Sequence, residues 1–201
     1  MSQSTKPLSE MTLKELWQLF PVILSEHDPV WTEYYHEEKA LLEKRFGSLP
    51  VRISHIGSTA VEGLIAKPTV DILLEVDPAS LPDEVRQTAE LCGYTVMAES
   101  FAPEYRLDLC KGYTPQGFAE KVFHLHIRHP GDWDEIVFRD YLRRNPRKAE
   151  EYGKLKMELQ KRFKHNRDAY TEAKGEFIRA CVKDARILRE SCARSHGGGL
   201  A

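Results

Sequence analysis

Apolar positions recur along this chain with two different periods, and the switch between them divides it into helical ends and a strand-rich middle. Thr12 and Glu15 stand at capping-box spacing ahead of Leu16, Leu19 and Phe20, which predicts a short helix closed by Pro21. Asp28-Pro29 then supplies a cap and a first-turn proline for a longer helix carrying Trp31, Tyr34, Tyr35, Leu41, Leu42 and Phe46, with Gly47 as its stop. From Val51 the period falls to two. Val51, Ile53 and Ile56 predict a strand ending at Gly57, and the run from Val70 to Val76, interrupted by Asp71 and Glu75, has the pattern of a buried strand. A helix over 82–91, stopped by Gly93, leads to predicted strands at 94–98, 105–110 and 122–128. Helical spacing returns after Asp132 through Leu142, restarts at Asn145-Pro146, and closes with a last helix capped by Asp168 and reaching Leu188.

These elements predict one mixed α/β (α+β) domain: N-terminal helices over 11–47, a sheet core of about five strands over 50–128, and C-terminal helices over 131–190. A loose tail is expected over 195–201. The chain has no internal repeat and no Pro/Gly-rich linker to divide it further.

With 201 residues, 41% hydrophobic and 30% charged, the chain can bury a working core. Lys plus Arg (29) nearly balances Asp plus Glu (31), so no overall field argues for nucleic acid or an anionic membrane as an obligatory partner. The polar N-terminus has no apolar signal core and no stretch is long enough to span a membrane, so a cytoplasmic protein is expected. Cys92, Cys110, Cys181 and Cys192 make no CxxC pair and read as reduced thiols, which argues against a cysteine zinc site.

Chemistry concentrates in the run from His55 to Leu73, HIGSTAVEGLIAKPTVDIL. A strand ends in Gly57-Ser58, a connector follows, and the next strand opens with Asp71. Exposed turn amides and a hydroxyl can hold phosphate oxygens, while a rigid strand can aim a carboxylate at a Mg²⁺ ion. The plain alternative is a turn followed by a strand with one structural Asp. A P-loop is excluded, because Leu64 follows Gly63 where Lys-Ser/Thr is required.

The segment 55–72, together with FRDYLR over 138–143 and YGKLK over 152–156, resembles the GrpB family, placed in the DNA polymerase beta-like nucleotidyltransferase superfamily. The resemblance covers most of 11–180. It implies a mixed sheet flanked by helices, a phosphate-binding turn at Gly57-Ser58, and Asp71 as a metal ligand. It also implies Mg²⁺ or Mn²⁺ as the ion and a nucleoside triphosphate as the donor. Arg139, Arg143, Tyr152 and Lys156 lie in the matching motifs and are carried over as nucleotide-binding candidates. The superfamily pattern has two carboxylates two residues apart on one strand, but here the second position is Leu73. Glu75, about 13 Å along the strand, is too far to share an ion with Asp71.

A replacement ligand then comes from another strand. Asp108, within an apolar alternation, is one candidate; His124 and His126, two apart on one strand face, are the other, and the resemblance favours His126. Lys67, held off a helix by Pro68, is a candidate phosphate charge or else a solvated loop lysine. Arg106 shares a face with Asp108 and either clamps a phosphate or neutralises that Asp.

The segment 139–167 holds eleven Lys or Arg against four acids, and Arg139, Arg143 and Arg147 form a helix-side stripe if the Asn145-Pro146 break leaves the last in line. Aromatic residues do not interleave with these charges, so a nucleic-acid contact is the weaker reading beside a triphosphate contact or a solvated helix face. Three functions remain open: a Mg²⁺-dependent nucleotidyltransferase with an unnamed acceptor, a nucleotide-binding module without chemistry, and a His/Asp metal hydrolase using Asp71, His124 and His126.

Overall fold

The computed structural model describes residues 6–196, with side chains as far as residue 191. A single 3-10 turn precedes a capping box in which the Thr12 hydroxyl accepts from the Glu15 amide and the Glu15 carboxylate accepts from the Thr12 amide. This opens α1 (Leu13–Leu19). The Asp28 carboxylate accepts from the Val30 amide to start α2 (Val30–Phe46), which Gly47 ends at φ 59°. Five strands follow: β1 (Pro50–Ile56), β2 (Val70–Val76), then α3 (Pro82–Leu91), β3 (Thr95–Ser100), β4 (Arg106–Thr114) and β5 (Gly117–Arg128). The C-terminal third is α4 (Asp134–Arg144), α5 (Pro146–Phe163), α6 (Arg167–Ala173) and α7 (Gly175–His196).

The strands make one mixed sheet in the order β1-β2-β5-β4-β3. β2 and β5 run parallel, and the other neighbours are antiparallel. A parallel pair needs a long crossover, here made by α3, β3 and β4. One sheet face buries Ile72, Leu74, Leu107, Leu109, Leu125 and Ile127 against Trp31, Leu42 and Phe46 of α2 and Val85 and Ala89 of α3. The strand alternation puts Asp71, Asp108, His124 and His126 on the opposite face, beneath the C-terminal helices. That face also has a small apolar cluster of Ile56, Leu73 and Trp133, with Ile136 packed against it.

The differences from the sequence-based expectations are local and physical. Val51 is 59% exposed, because β1 is an edge strand and its register slips between Pro50 and Arg52. The β4–β5 hairpin is longer than the apolar run suggests. Gly112, which reads as a breaker, sits in a register shift of this hairpin at φ 90°, where a Cβ would collide with the Lys121 carbonyl. The expected last helix is two helices. Asn166, rather than Asp168, caps α6 by accepting from the Ala169 amide, and the chain breaks at Lys174 before α7. Residues 195 and 196 of the expected tail are helical, and 197–201 lie outside the described residues.

Candidate functional site

The site grows from strand register. Ile56 pairs with Asp71, so the turn at the end of β1 lies beside the first acidic residue of β2. Gly57 adopts φ 70°, and any Cβ there would collide with the Asp71 carboxylate. Glycine is therefore required both for the turn and for the close approach. Ser58 begins a 3-10 turn, Ser58–Ala60, and its hydroxyl accepts from Lys156 Nζ at 3.0 Å. Lys156 is 2% exposed and also donates to the Ile65 carbonyl, so it straps both ends of the connector.

Across the parallel pair, Asp71 stands opposite His124 and Leu73 opposite His126, and across the hairpin His126 stands opposite Asp108. His124 Nδ1 lies 3.0 Å from Asp71 Oδ1, and His126 Nε2 lies 3.9 Å from the same oxygen. The three residues offer ligand atoms within 4.8 Å of one another. The distal nitrogen of each imidazole is occupied. His124 Nε2 is 2.8 Å from the Tyr113 hydroxyl, which accepts from Arg167 at 2.6 Å. His126 Nδ1 is 2.8 Å from Asp108 Oδ1, which also accepts from Arg128 at 2.5 Å.

Electrostatics follow from these contacts. Burial works to raise the Asp71 pKa, but the two imidazoles outweigh it and hold the carboxyl well below its ordinary range. Burial opposes the charged form of His126, yet its bond to Asp108 and the nearby charge of Asp71 raise it to about 9. For His124 burial dominates the pull of Asp71 and the ring is shifted down. Asp108 is lowered to about 2, because His126 and Arg128 outweigh its own burial.

A cationic wall faces this cluster. Burial, then the nearby charges of Lys174 and Arg167, push Lys67 down to about 7. Burial, Lys174 and Lys67 push Lys156 to about 7, and burial lowers Lys174 as well. Lys67 and Lys174 share the Tyr170 ring, at 5.9 and 4.6 Å from its centroid, and among the described residues neither ammonium makes an ion pair, although the Asp71 charge draws on both. Half-buried cations that repel one another and share the single negative charge of Asp71 make a receptive place for a polyanion.

Gly57, Ser58, Lys67, Asp71, Asp108, His124, His126 and Lys156 thus converge. Tyr152 lies just behind, 3% exposed, stacked on Phe177 and under Lys156. Arg139 and Arg143 do not face Asp71. Arg139 donates to the His55 carbonyl and pairs with Asp140, while Arg143 grips the Ala60 carbonyl through Nε and Nη2 at 2.9 and 2.7 Å. Both arginines brace the Gly-Ser turn from outside, and Arg147 belongs to α5, past the helix break. Arg106 is elsewhere too, paired with Glu104 and set over the Trp133 ring, and the partner that neutralises Asp108 is Arg128. Glu75 is 1% exposed and structural, tied to Arg52 and the Gly131 amide.

The basic 139–167 segment is not a continuous surface, since Lys148 and Lys154 pair with Glu151 and Glu150 while Arg139, Arg143 and Lys156 turn inward. A cleft of about 1020 Å³ lies along the connector and α5, and of the sequence-derived candidates only Arg143 lines it. No helix among the described residues is long and apolar enough to cross a membrane, and Cys92, Cys110 and Cys181 are free.

Tyr113, Arg128, Arg167 and Lys174 join the site without having been expected. Arg128 had a usable signal, since it shares parity with His124 and His126 on one strand. Tyr113 was hidden beyond the apparent end of β4, Arg167 by the cap expected one residue after it, and Lys174 inside the single long helix expected there.

Comparison with known proteins shows the family. Residues 21–184 match the family model described as GrpB protein. A UPF0157 protein of Pseudomonas aeruginosa is 34% identical over 167 residues, covering 83% of this chain and 66% of that protein. Glutamate-rich protein GrpB of Alkalihalophilus pseudofirmus is 33% identical over 166 residues, 78% of this chain and 91% of that one. Against YqkA of Bacillus subtilis the chain spans 54% of the relative's length. The crystal structure of conserved protein GrpB from Enterococcus faecalis superposes with a TM-score of 0.71 at 33% identity, over 81% of this chain and 96% of that chain. With a family model matched over most of its length and a shared three-dimensional fold, the chain belongs to the GrpB family.

Proposed function

We propose that this GrpB protein is a nucleotidyltransferase-like enzyme that transfers a nucleotidyl group from a nucleoside triphosphate to an acceptor, with a divalent cation, Mg²⁺ or Mn²⁺, at Asp71. One observation carries the reading: a Gly-Ser turn pressed against the Asp71 carboxylate, whose single charge is all that draws on Lys67 and Lys174, since neither makes an ion pair among the described residues. Phosphoryl-group transfer demands little covalent work from a protein and much positioning and charge neutralisation. In this reading the Ser58 hydroxyl and the turn backbone hold phosphate oxygens. Lys156 orients Ser58, and Lys67, Lys174 and Arg167 offset the triphosphate charge. Asp71 stays ionised through the pH range of life because the imidazoles hold its pKa down.

The donor set fits one dication, held by Asp71 with an imidazole, and the ion would draw charge from the reacting phosphate oxygens. It does not fit a pair, because Leu73 is fully buried with Ile56 and Trp133 where a second carboxylate is needed. That same observation favours a second reading, a nucleotide-binding module without turnover.

The test is a thermal-shift comparison of ATP, GTP, CTP and UTP, with and without Mg²⁺ or Mn²⁺, on the wild type and Asp71→Asn. Expected is a stabilisation by nucleotide plus metal that the variant loses, followed by turnover with an acceptor. Nucleotide binding indifferent to metal and without turnover selects the binding module, and no shift with any nucleotide overturns both.

A further inference from the structure

The two imidazoles beside Asp71 are more elaborately held than a Mg²⁺ site needs. Mg²⁺ prefers oxygen ligands and keeps several waters, whereas imidazole suits the later first-row dications. Among the described residues the clustered donors are the Asp71 carboxylate and two imidazoles; Asp108 is taken up by His126 Nδ1 and Arg128, Leu73 fills the place of another acid, and Glu75 is consumed by Arg52. Ligand atoms about 2.1 Å from one ion stand roughly 3 to 3.5 Å apart. Asp71 Oδ1 is already 3.0 Å from His124 Nδ1 and 3.9 Å from His126 Nε2, and all three ligand atoms lie within 4.8 Å of one another, so rotation of the side chains by about an ångström closes the set.

The nitrogens that point away are the second observation. A metal-binding histidine characteristically gives its other N–H to a carboxylate, carbonyl or similar acceptor, which fixes the tautomer and the ring direction. Here each ring has its own arm. His126 Nδ1 rests on Asp108, anchored by Arg128, which is 3% exposed and also donates to the Ile127 carbonyl. His124 Nε2 rests on the Tyr113 hydroxyl, anchored by Arg167. The arms come from two ends of β4, Asp108 near its start and Tyr113 near its end beside Arg167 of α6, and both leave the inner nitrogen turned to Asp71.

We propose that Asp71, His124 and His126 form a single site for a first-row transition dication rather than a Mg²⁺ pair, with Asp108–Arg128 and Tyr113–Arg167 as the arms that aim the two imidazoles. The proposal deepens the reading of this site as a nucleotidyl-transfer centre and rests on it for the ion's role, but the ion's class and ligands are measurable without any nucleotide. Tyr113 and Asp108 are positioning residues, acting on the ion through the histidines.

The experiment uses the full chain, metal-stripped and nucleotide-free, titrated separately with Co²⁺, Mn²⁺ and Mg²⁺. Calorimetry reads stoichiometry and affinity, and the visible spectrum of Co²⁺ and the nitrogen couplings of Mn²⁺ report imidazole ligation. Expected is one Co²⁺ per chain with imidazole signatures, bound at least tenfold tighter than Mg²⁺. His126→Gln should lose one nitrogen signature. Tyr113→Phe, which keeps the ring packing against Phe20 and Phe118, should keep both nitrogens, alter the Co²⁺ spectrum and weaken affinity by roughly 10–100-fold. Two Mg²⁺ ions per chain, Co²⁺ without nitrogen ligation, or a Tyr113→Phe protein with unchanged affinity and spectrum would overturn it. Absence of a nucleotide shift alongside a nitrogen-ligated Co²⁺ ion would instead count against both nucleotide readings and leave the metal site standing.

Discussion

Single residues at this site are read best through their neighbours. Asp71 was legible in the sequence because a lone carboxylate opening an apolar strand after Gly-Ser has few structural excuses, and His124 and His126 were legible from their parity. Their mutual distances were not, since register between strands far apart in sequence is a property of the sheet. His55 shows how burial turns a common residue into a pH device. It is 7% exposed, its Nε2 lies 3.0 Å from the Thr59 hydroxyl, and burial, aided by Arg143 and Arg139, pushes its pKa down to about 4. Between pH 4 and its unfolded value near 6.5 the unfolded chain binds more protons than the folded one, so stability rises with pH across that window. The expected loss on acidification from pH 7 to pH 4 is about 3 kcal/mol from this residue. Urea unfolding of wild type and His55→Asn across that range checks it: the variant should show a shallower pH dependence.

At the scale of elements, helix starts marked by caps were predictable, because a cap is a local contract between a side chain and amides two or three residues away. Thr12, Asp28 and Pro146 sit where the spacing puts them, whereas the cap expected at Asp168 falls to Asn166, two residues earlier. The break between α6 and α7 was not, because nothing but a Lys-Gly pair marks it, and packing of Tyr170 against Val22 and Leu159 decides where α6 lies. The consequence is functional, since α6 with its C-cap carries Arg167 and Lys174, about two turns apart on one helical face, over the site. Asn166→Ala should remove the α6 cap and cost about 1 kcal/mol of stability. It should also lower nucleotide affinity through Arg167, measured by unfolding and nucleotide thermal shift on the same protein. A stability loss with unchanged nucleotide response would detach α6 from the site.

For the whole molecule, the arrangement is a sheet whose one face is a continuous apolar core and whose other face carries polar chemistry roofed by the C-terminal helices. Arg143 ties that roof to the connector after the Gly-Ser turn, while Lys67 faces the site from the connector's far end. Opposite outcomes are therefore expected. Arg143→Ala should lose about 1–2 kcal/mol of stability, the worth of a charge-assisted bond to a buried carbonyl. Lys67→Ala should leave stability unchanged or raised, by relieving repulsion with Lys174, and should weaken nucleotide binding. Chemical unfolding beside nucleotide titration separates them, and a nucleotide defect in Arg143→Ala without a stability cost would restore the phosphate role its motif suggested.

By itself the sequence determined the periodic elements, the helix starts marked by caps, the glycine turn and the identity of Asp71, His124 and His126, because each rests on contacts within a few residues or on strand parity. Only the tertiary structure decided that Arg139 and Arg143 brace the turn, that Arg128 rather than Arg106 holds Asp108, and that Lys67, Lys156, Lys174 and Arg167 form one wall. Long charged side chains reach several ångströms in any direction, so their partners are chosen by which elements fold alongside them.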